Sequence, residues 1–301
     1  MSITFGTASW GFRETPLEQQ LAITRTLGLT TLELGIAGHE NDVLQTGATD
    51  ETIGSVRALF KKHGIAITHA STGNDFTSAD PVAVAADLAK VKIVIEIARK
   101  LDIRFLRIFA GFSAMEDVPA GGDRWRRMVA SLNAAVAHAA RHDIVLTVET
   151  HGGVRGVPQI PGSVVHFHST STSPRHLERW LSEVDPRLRL LFDPANLGAV
   201  GMDTEKIIAL YDLLRPRIAS MHLKDFRPAT NARKTSATLE APANASDIGK
   251  AVFPCAAGEG PLDYNRLLAA FAGYEGAGFI EYELTADIED GLRRSLKTLR
   301  A

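Results

Sequence analysis

Ile144-Val-Leu-Thr-Val-Glu149 is one of four apolar stretches, each about one strand long, that carry a carboxylate or an imidazole at the C-terminal end. The other three are Leu188-Arg-Leu-Leu-Phe-Asp193, Ile218-Ala-Ser-Met-His222 and Gly278-Phe-Ile-Glu281. Strands that are buried on both faces have near-continuous apolar sequences of this kind. A charge in such a strand needs a partner, because an unpaired buried charge is very costly. Four such ends that converge could share one cation.

Strand-like and helix-like segments alternate along the whole chain. The predicted strands are residues 3–9, 31–35, 65–69, 105–109, 144–149, 188–193, 218–222 and 278–281. The predicted helices are residues 16–27, 50–63, 81–101, 124–142, 174–181, 204–214, 264–272 and 287–299. Strict alternation predicts parallel strands with right-handed crossovers.

Eight such units in 301 residues fit a closed (β/α)8 barrel, which we predict as a single α/β domain over residues 1–301. The competing fold is a doubly wound open sheet, which usually has a glycine-rich first turn. The first turn here, Thr7-Ala-Ser-Trp-Gly11, lacks the spaced glycines.

Two connections, residues 152–173 after strand five and 226–261 after strand seven, are too long for ordinary βα loops. Both follow strands, so both should lie on the C-terminal face, where barrel active sites are found. We expect them to form a lid and the walls of a substrate site; the alternative is that they are disordered insertions.

Bulk composition excludes several classes of protein. The net charge of −2 attracts no nucleic acid, and the single cysteine, Cys255, excludes an internal disulfide framework and a cysteine-rich metal site. We see no signal peptide and no apolar run that approaches the ~20 residues of a membrane span. These features predict a cytoplasmic protein without a nucleic-acid or membrane partner.

Strand parity brings the four terminal residues together, because residues two apart in a strand share a face. If these faces point into the barrel, Glu149, Asp193, His222 and Glu281 meet at one end. Three carboxylates and one imidazole suit Mn²⁺, Mg²⁺ or Co²⁺, and Zn²⁺ with an unusual ligand set stays open. The alternative is that these charges are solvated or paired with basic residues: Arg107, Arg189 and Lys224.

The order and spacing of several short motifs resemble those of the xylose isomerase-like TIM barrel superfamily, which includes sugar phosphate isomerases and epimerases. The motifs are Leu32-Glu-Leu34, Leu106-Arg-Ile-Phe109, Val148-Glu-Thr-His-Gly152, Phe192-Asp-Pro-Ala-Asn196, His222-Leu-Lys-Asp225, Gly258-Glu-Gly260 and Ile280-Glu-Tyr-Glu283. The resemblance covers nearly the whole chain.

The resemblance implies one divalent metal, most simply Mn²⁺, held by Glu149, Asp193, His222 and Glu281. Glu283 has the parity of Glu281 and lies nearer the strand end, so it is the alternative ligand. Many relatives carry a histidine three residues after the strand-six aspartate, where this chain has Asn196. An amide binds a hydroxyl but relays no proton near neutral pH.

Isomerising or epimerising a keto sugar requires that a proton be taken from the carbon beside a carbonyl. A divalent cation polarises that carbonyl and stabilises the enediolate, while two carboxylates remove and return protons. We therefore assign Glu149 and Glu281 as the acid/base pair. Because metal ligation lowers the basicity of a carboxylate, this role requires monodentate metal binding or a rearrangement of the ligands. The expected ligand is a keto sugar, a related polyol or a sugar-derived keto-acid.

Six further residues are candidates for substrate binding, on strand ends or next to them: Glu33, His69, Arg107, His151, Asn196 and Lys224. Lys224 could bind an enolate oxygen or simply pair with Asp225. Arg107 could bind an anionic substrate or neutralise Glu33.

Three other functions stay open. A metal-dependent lyase, either a dehydratase or a decarboxylase, would begin with the same enolate. An endonuclease of DNA repair would need more metal ligands and a basic groove for phosphates. A non-catalytic sugar-binding barrel would bind without turnover.

Exposed apolar helices would make a homo-oligomer unsurprising.

Overall fold

The computed structural model describes residues 3–229 and 249–301. Its strands, in chain order, are β1 (Thr4–Ala8), β2 (Leu32–Gly35), β3 (His69–Ser71), β4 (Phe105–Ile108), β5 (Val145–Glu149), β6 (Gly153–Gly156), β7 (Val164–Phe167), β8 (Arg189–Phe192), β9 (Ile218–Leu223), β10 (Asp225–Pro228), β11 (Val252–Cys255) and β12 (Ala277–Ile280). Its helices are α1 (Leu17–Thr26), α2 (Asp50–His63), α3 (Pro81–Lys100), α4 (Asp123–Ala139), α5 (Pro174–Glu183), α6 (Pro194–Ala199), α7 (Thr204–Leu214), α8 (Tyr264–Ala270) and α9 (Ile288–Leu299).

Eight parallel strands close into a barrel in the order β1-β2-β3-β4-β5-β8-β9-β12. Closure is made by β12 against β1, with a register that runs from Thr4 opposite Ala277 to Thr7 opposite Ile280. The helices surround this ring, as expected for a chain in which each barrel strand must be covered on its outer face. The predicted (β/α)8 barrel is therefore confirmed.

Local sequence explains where the helices begin and end. The Asp80 side chain accepts a hydrogen bond from the backbone N–H of Val82 and caps α3, which Pro81 opens. Gly64 ends α2 in the left-handed region, at φ 65°, where a residue without Cβ is favoured. Each long helix buries one apolar face against the barrel, as α3 does with Val91, Ile95 and Ala98.

Within the barrel and its helix layer, two elements differ most from the sequence prediction. The third strand is His69–Ser71 rather than residues 65–69, because Ala66 forms only an isolated bridge with Thr31. The short helix α6 follows β8, because Asp193 accepts hydrogen bonds from the N–H groups of Ala195 and Asn196 and so caps a new helix.

The two long connections contain a second sheet of four antiparallel strands, in the order β10-β11-β7-β6. β6 and β7 form a hairpin within the connection after β5, and β10 and β11 lie in the connection after β9. Val252 of β11 pairs with Val164 of β7 and joins the two hairpins. The described parts of both connections therefore contain ordered strands, and the expected role as a lid and walls stays a prediction. Residues 230–248 of the second connection lie outside the described residues.

Candidate metal and active site

The four predicted metal ligands lie together at the C-terminal end of the barrel. Glu149 ends β5, Asp193 follows β8, His222 lies in β9 and Glu281 follows β12. One ligand atom from each lies within 4.8 Å of the others, and all four side chains are buried. Inward-facing positions of neighbouring strands meet in a barrel, so the strand parity in the sequence produces this convergence.

The geometry of the four groups fits a cation. His222 Nδ1 lies 3.3 Å from Glu281 Oε2 and 3.5 Å from Glu149 Oε1. Asp193 uses Oδ1 to cap α6 and turns Oδ2 towards the cluster. Asp193 Oδ2 and His222 Nδ1 are buried and form no hydrogen bond among the described residues, although Asp193 Oδ2 lies 3.2 Å from the ammonium group of Lys224. Buried polar atoms are normally satisfied, and a metal ion bound by the four groups would satisfy both.

Glu33 orients the histidine. Its Oε2 lies 2.5 Å from His222 Nε2 in a buried contact. A proton on Nε2 that is donated to this carboxylate leaves the Nδ1 lone pair directed at the other ligands, which is the usual arrangement of a metal-binding histidine. Glu33, predicted to bind substrate, therefore lies behind His222 and outside the cavity lining.

Lys224 lies among the acidic groups. Its Nζ is 2.5 Å from Glu281 Oε2, 2.6 Å from Glu283 Oε1 and 3.2 Å from Asp193 Oδ2. Burial alone would lower the pKa of Lys224, but Asp193, Glu281 and Glu283 raise it well above its ordinary value. The side chain is therefore a cation. Of the two candidate glutamates, Glu281 joins the four-ligand cluster, and Glu283 faces Lys224.

The floor of the site carries excess negative charge. Four buried carboxylates, those of Glu33 and the three acidic ligands, face two buried cations, Arg107 and Lys224. Burial, with the charges of Glu149 and Glu281, raises the pKa of Asp193 to about 7, against the opposing effects of Lys224 and His222. Burial alone would lower the pKa of His222, but Glu281, Glu33 and Glu149 raise it well above its ordinary value, so the imidazole carries a proton when no metal is bound. A divalent cation that took the place of this proton would meet the excess negative charge.

Glu149 is held from two sides. Asn196 Nδ2 donates to its Oε1 at 3.0 Å, and Arg107 Nε lies 3.3 Å from its Oε2. Burial alone would raise the pKa of Glu149, but His222 and Arg107 lower it to about 2. The carboxylate is therefore ionised at neutral pH. Arg107 also donates to the Thr72 carbonyl and lies over the ring of Phe109.

A cavity of about 890 Å³ opens above the cluster. Among the predicted site residues, its lining includes Arg107, Glu149, His151, Lys224, Glu281 and Glu283. Asn196 and His69 do not line it: Asn196 lies under Glu149, and His69 packs inside the barrel between the rings of Phe105 and Phe279.

The cavity walls come from several loops and from the second sheet. His151 packs edge-on against Phe109 and Phe112, and its Nδ1 donates to the Gly152 carbonyl. His166 of β7 also lines the cavity, and burial with the charges of His151 and Lys224 lowers its pKa to about 3. This wall is therefore aromatic and uncharged near neutral pH.

The opposite wall contains residues that the sequence did not single out. Asp42 accepts hydrogen bonds from the N–H groups of Gly38 and His39, and Arg13 donates to the Glu283 carbonyl. Arg13 lies in the connection after β1, and Gly38, His39 and Asp42 lie in the connection after β2. Their position on the C-terminal face was the only signal available in the sequence.

Comparison with known families agrees with this geometry. The family model described as xylose isomerase-like TIM barrel matches residues 21–301. The chain belongs to this family. A search of the curated proteins found no significant match. No described helix of this family member has the length and apolar character needed to cross a membrane.

Solved structures with the same fold include several enzymes. A probable 3-DHS dehydratase from Bacillus anthracis is 16% identical with a TM-score of 0.72, covering 99% of each chain. A D-psicose 3-epimerase from Clostridium cellulolyticum, crystallised with D-tagatose, is 12% identical with a TM-score of 0.66, covering 99% of this chain and 98% of that one. A 3-keto-D-glucoside 4-epimerase from E. coli is 15% identical with a TM-score of 0.68, covering 99% of each.

Proposed function

We propose that this protein is a divalent-metal-dependent isomerase or epimerase that acts on a keto sugar or a related polyol. The observation that carries the proposal is the pairing of two cavity-lining carboxylates, Glu149 and Glu281, with two buried ligand atoms that lack hydrogen-bond partners, on Asp193 and His222. This combination offers acid/base groups and a cation site at one place.

The two glutamates are suited to take turns as base and acid. Each directs one oxygen at His222 Nδ1, so monodentate metal binding leaves the second oxygen for proton transfer. The pKa of Glu149 is lowered to about 2; burial would raise the pKa of Glu281, but His222 and Lys224 hold it well below its usual range. Both therefore begin as bases. The one that takes the proton next to the carbonyl becomes an acid, and its partner can act on the other face of the carbon.

Neighbouring residues have supporting roles. Lys224 reaches the cavity and can bind the oxygen that gains charge when the proton leaves. Phe109 and Phe112 offer apolar faces to the C–H groups of a sugar, while Arg107 keeps Glu149 in place.

The donor set points to the class of metal. Three carboxylate oxygens and one imidazole nitrogen suit Mn²⁺ best, with Mg²⁺, Co²⁺ or Zn²⁺ as alternatives. When bound, such a cation polarises the substrate carbonyl and stabilises the enediolate. We assign it to Glu149, Asp193, His222 and Glu281.

The names of the structural relatives support a small sugar as substrate, since two of them act on keto sugars as epimerases. A lyase on a keto-sugar or keto-acid is the second candidate. The observation that favours it is the fold shared with the probable 3-DHS dehydratase, whereas Lys224 could bind the enolate oxygen in either reaction.

Solvent exchange tests the proposal and separates the two candidates. Protein with Mn²⁺ is incubated in D₂O with panels of keto sugars and keto-acids, and products are followed by NMR and mass spectrometry. An isomerase or epimerase should convert one sugar to an isomer that carries deuterium on the carbon beside the carbonyl. Apart from this deuterium, the isomer has the same mass as the substrate. Loss of water or CO₂ instead assigns a lyase.

Two variants complete that test. Glu149→Gln should lower turnover by a factor of about 10²–10⁴, the usual contribution of a general acid/base. Glu205→Gln, which removes an exposed carboxylate paired with Arg266, should leave turnover unchanged. Wild-type turnover in Glu149→Gln, or no exchange with any member of either panel, would refute the proposed chemistry.

A further inference from the structure

A second group of metal-capable side chains lies outside the barrel, in the helix layer. Glu96 belongs to α3, His138 to the last turn of α4 and His142 to the 3₁₀ turn Ala140–His142 that continues it. Residues four apart on a helix lie on the same face, so the two histidines point the same way. Their ring centroids are 5.4 Å apart.

One oxygen faces both histidines. Glu96 Oε1 lies 3.0 Å from His138 Nε2 and 2.8 Å from His142 Nε2. Its other oxygen, Oε2, lies 3.4 Å from Arg99 Nε. One ligand atom from each of the three residues lies within 4.8 Å of the others. Two imidazole nitrogens and one carboxylate oxygen therefore converge on a single point.

This donor set differs from that of the barrel site. Two nitrogens and one oxygen are a known protein ligand set for Zn²⁺, with the fourth position left to water. Tetrahedral Zn²⁺ holds its ligand atoms about 3.3 Å apart. This is slightly more than the 3.0 and 2.8 Å between Glu96 Oε1 and the two imidazole nitrogens, so a small outward turn of Glu96 opens the site. The histidine side chains are only 16% and 21% exposed, so little side-chain freedom is left to lose.

Metal binding requires one local change. His138 Nδ1 accepts a hydrogen bond from Arg141, while its Nε2 faces Glu96. When Nε2 ligates a metal, the ring proton moves to Nδ1, and Arg141 must turn away. Arg141 contacts His138 at an exposed position, so solvent can accommodate its side chain.

We propose that Glu96, His138 and His142 form a second metal site that binds Zn²⁺, or Ni²⁺ or Cu²⁺ in its place, and links α3 to α4. The site is independent of the proposed sugar chemistry, since none of its residues lines the cavity. Its occupancy would tie together two neighbouring helices that cover the barrel.

Equilibrium dialysis against buffered micromolar free Zn²⁺, followed by elemental analysis, tests the proposal on the full chain. Wild type should bind one more Zn²⁺ per chain than His142→Ala, whatever the barrel site binds. The matched control is His63→Ala, because the His63 ring also lies beside a glutamate, with Nε2 3.8 Å from Glu18 Oε1. This variant should bind as much Zn²⁺ as wild type.

A second variant guards against a folding artefact. Glu96→Gln keeps the size of the side chain but removes the ligating charge, and it should show the same loss of one Zn²⁺ with unchanged circular dichroism. Added Zn²⁺ should also raise the melting temperature of wild type by more than that of His142→Ala. Equal Zn²⁺ counts in wild type, His142→Ala and Glu96→Gln would overturn the proposal.

Discussion

Lys224→Met removes an ammonium group that contacts three carboxylates of the proposed site. Its Nζ lies 2.5 Å from Glu281, 2.6 Å from Glu283 and 3.2 Å from Asp193, and the side chain is buried. Methionine keeps a long apolar side chain, so packing changes little. Removing one partner of a buried ion pair costs about 3–5 kcal/mol, because the remaining charge is left uncompensated. We expect metal-free protein to lose about 4 kcal/mol of unfolding free energy.

A divalent cation should recover much of this loss. It would neutralise Asp193 and Glu281 in place of the ammonium group, and without that neighbouring positive charge it should bind more tightly. Metal at 100 times its Kd adds about 2.7 kcal/mol to the stability of any protein that binds it only when folded. We therefore expect Mn²⁺ to stabilise Lys224→Met by more than it stabilises wild type.

The assay is guanidinium unfolding of both proteins, with EDTA and with saturating Mn²⁺. Lys100→Met is the control: Lys100 pairs with Asp50 on the surface, where such pairs contribute less than about 1 kcal/mol, and its unfolding should not depend on metal. If Lys224→Met loses the same free energy with Mn²⁺ as with EDTA, the idea that the ammonium group and a cation share these carboxylates is refuted.

Three further perturbations test other parts of the structure. Glu33→Gln removes the carboxylate that contacts His222, the proposed metal ligand, and should weaken Mn²⁺ binding about 10–100-fold by calorimetry; unchanged affinity would exclude that role. Burial lowers the pKa of His69 to about 4, below its value near 6.5 in the unfolded chain, so stability is present above pH 6.5 and is lost as the pH falls towards 4. Because of His69, the free energy of unfolding should be about 2 kcal/mol lower at pH 5 than at pH 7. His69→Leu should reduce this dependence of stability on pH, and the same dependence in the variant as in wild type would contradict the lowered pKa of His69. A Cβ at Gly291 would lie 2.1 Å from the ring of Tyr282, so Gly291→Ala should cost about 1–3 kcal/mol, whereas Gly54→Ala, with open space around it, should gain up to about 1 kcal/mol; equal melting temperatures would count against the packing described.

Local sequence contained most of the information about the barrel. Four of the barrel strands combine an apolar stretch with an ionisable residue at the C-terminal end, and strand parity assigns each of these residues to one face of its strand. The convergence of Glu149, Asp193, His222 and Glu281 could therefore be predicted from the sequence.

Contacts between distant parts of the chain could not be predicted in the same way. Glu33 and His222 are 189 residues apart, and only the closure of the barrel brings them to 2.5 Å. Glu33 was therefore expected at the substrate rather than behind a ligand. Asn196 was likewise expected to bind substrate. Its amide points to Glu149 because Asp193 caps α6, and this cap depends on the fold.

The second sheet was missed for a related reason. β6 and β7 are four-residue strands that begin with glycine or end beside polar residues. They pair with each other within one connection, and only the pair of Val164 with Val252 joins them to β11 of the other connection. Short strands of this kind lack the long apolar stretches that identify barrel strands. Their contribution to the cavity wall follows from pairing that only the folded chain provides.

Anomalous diffraction from crystals grown with Mn²⁺ is the most direct test of the proposed centre. The predicted result is a single manganese peak bonded to one atom each of Glu149, Asp193, His222 and Glu281. A structure in which these four side chains surround no anomalous peak, while manganese is bound elsewhere or not at all, would contradict it.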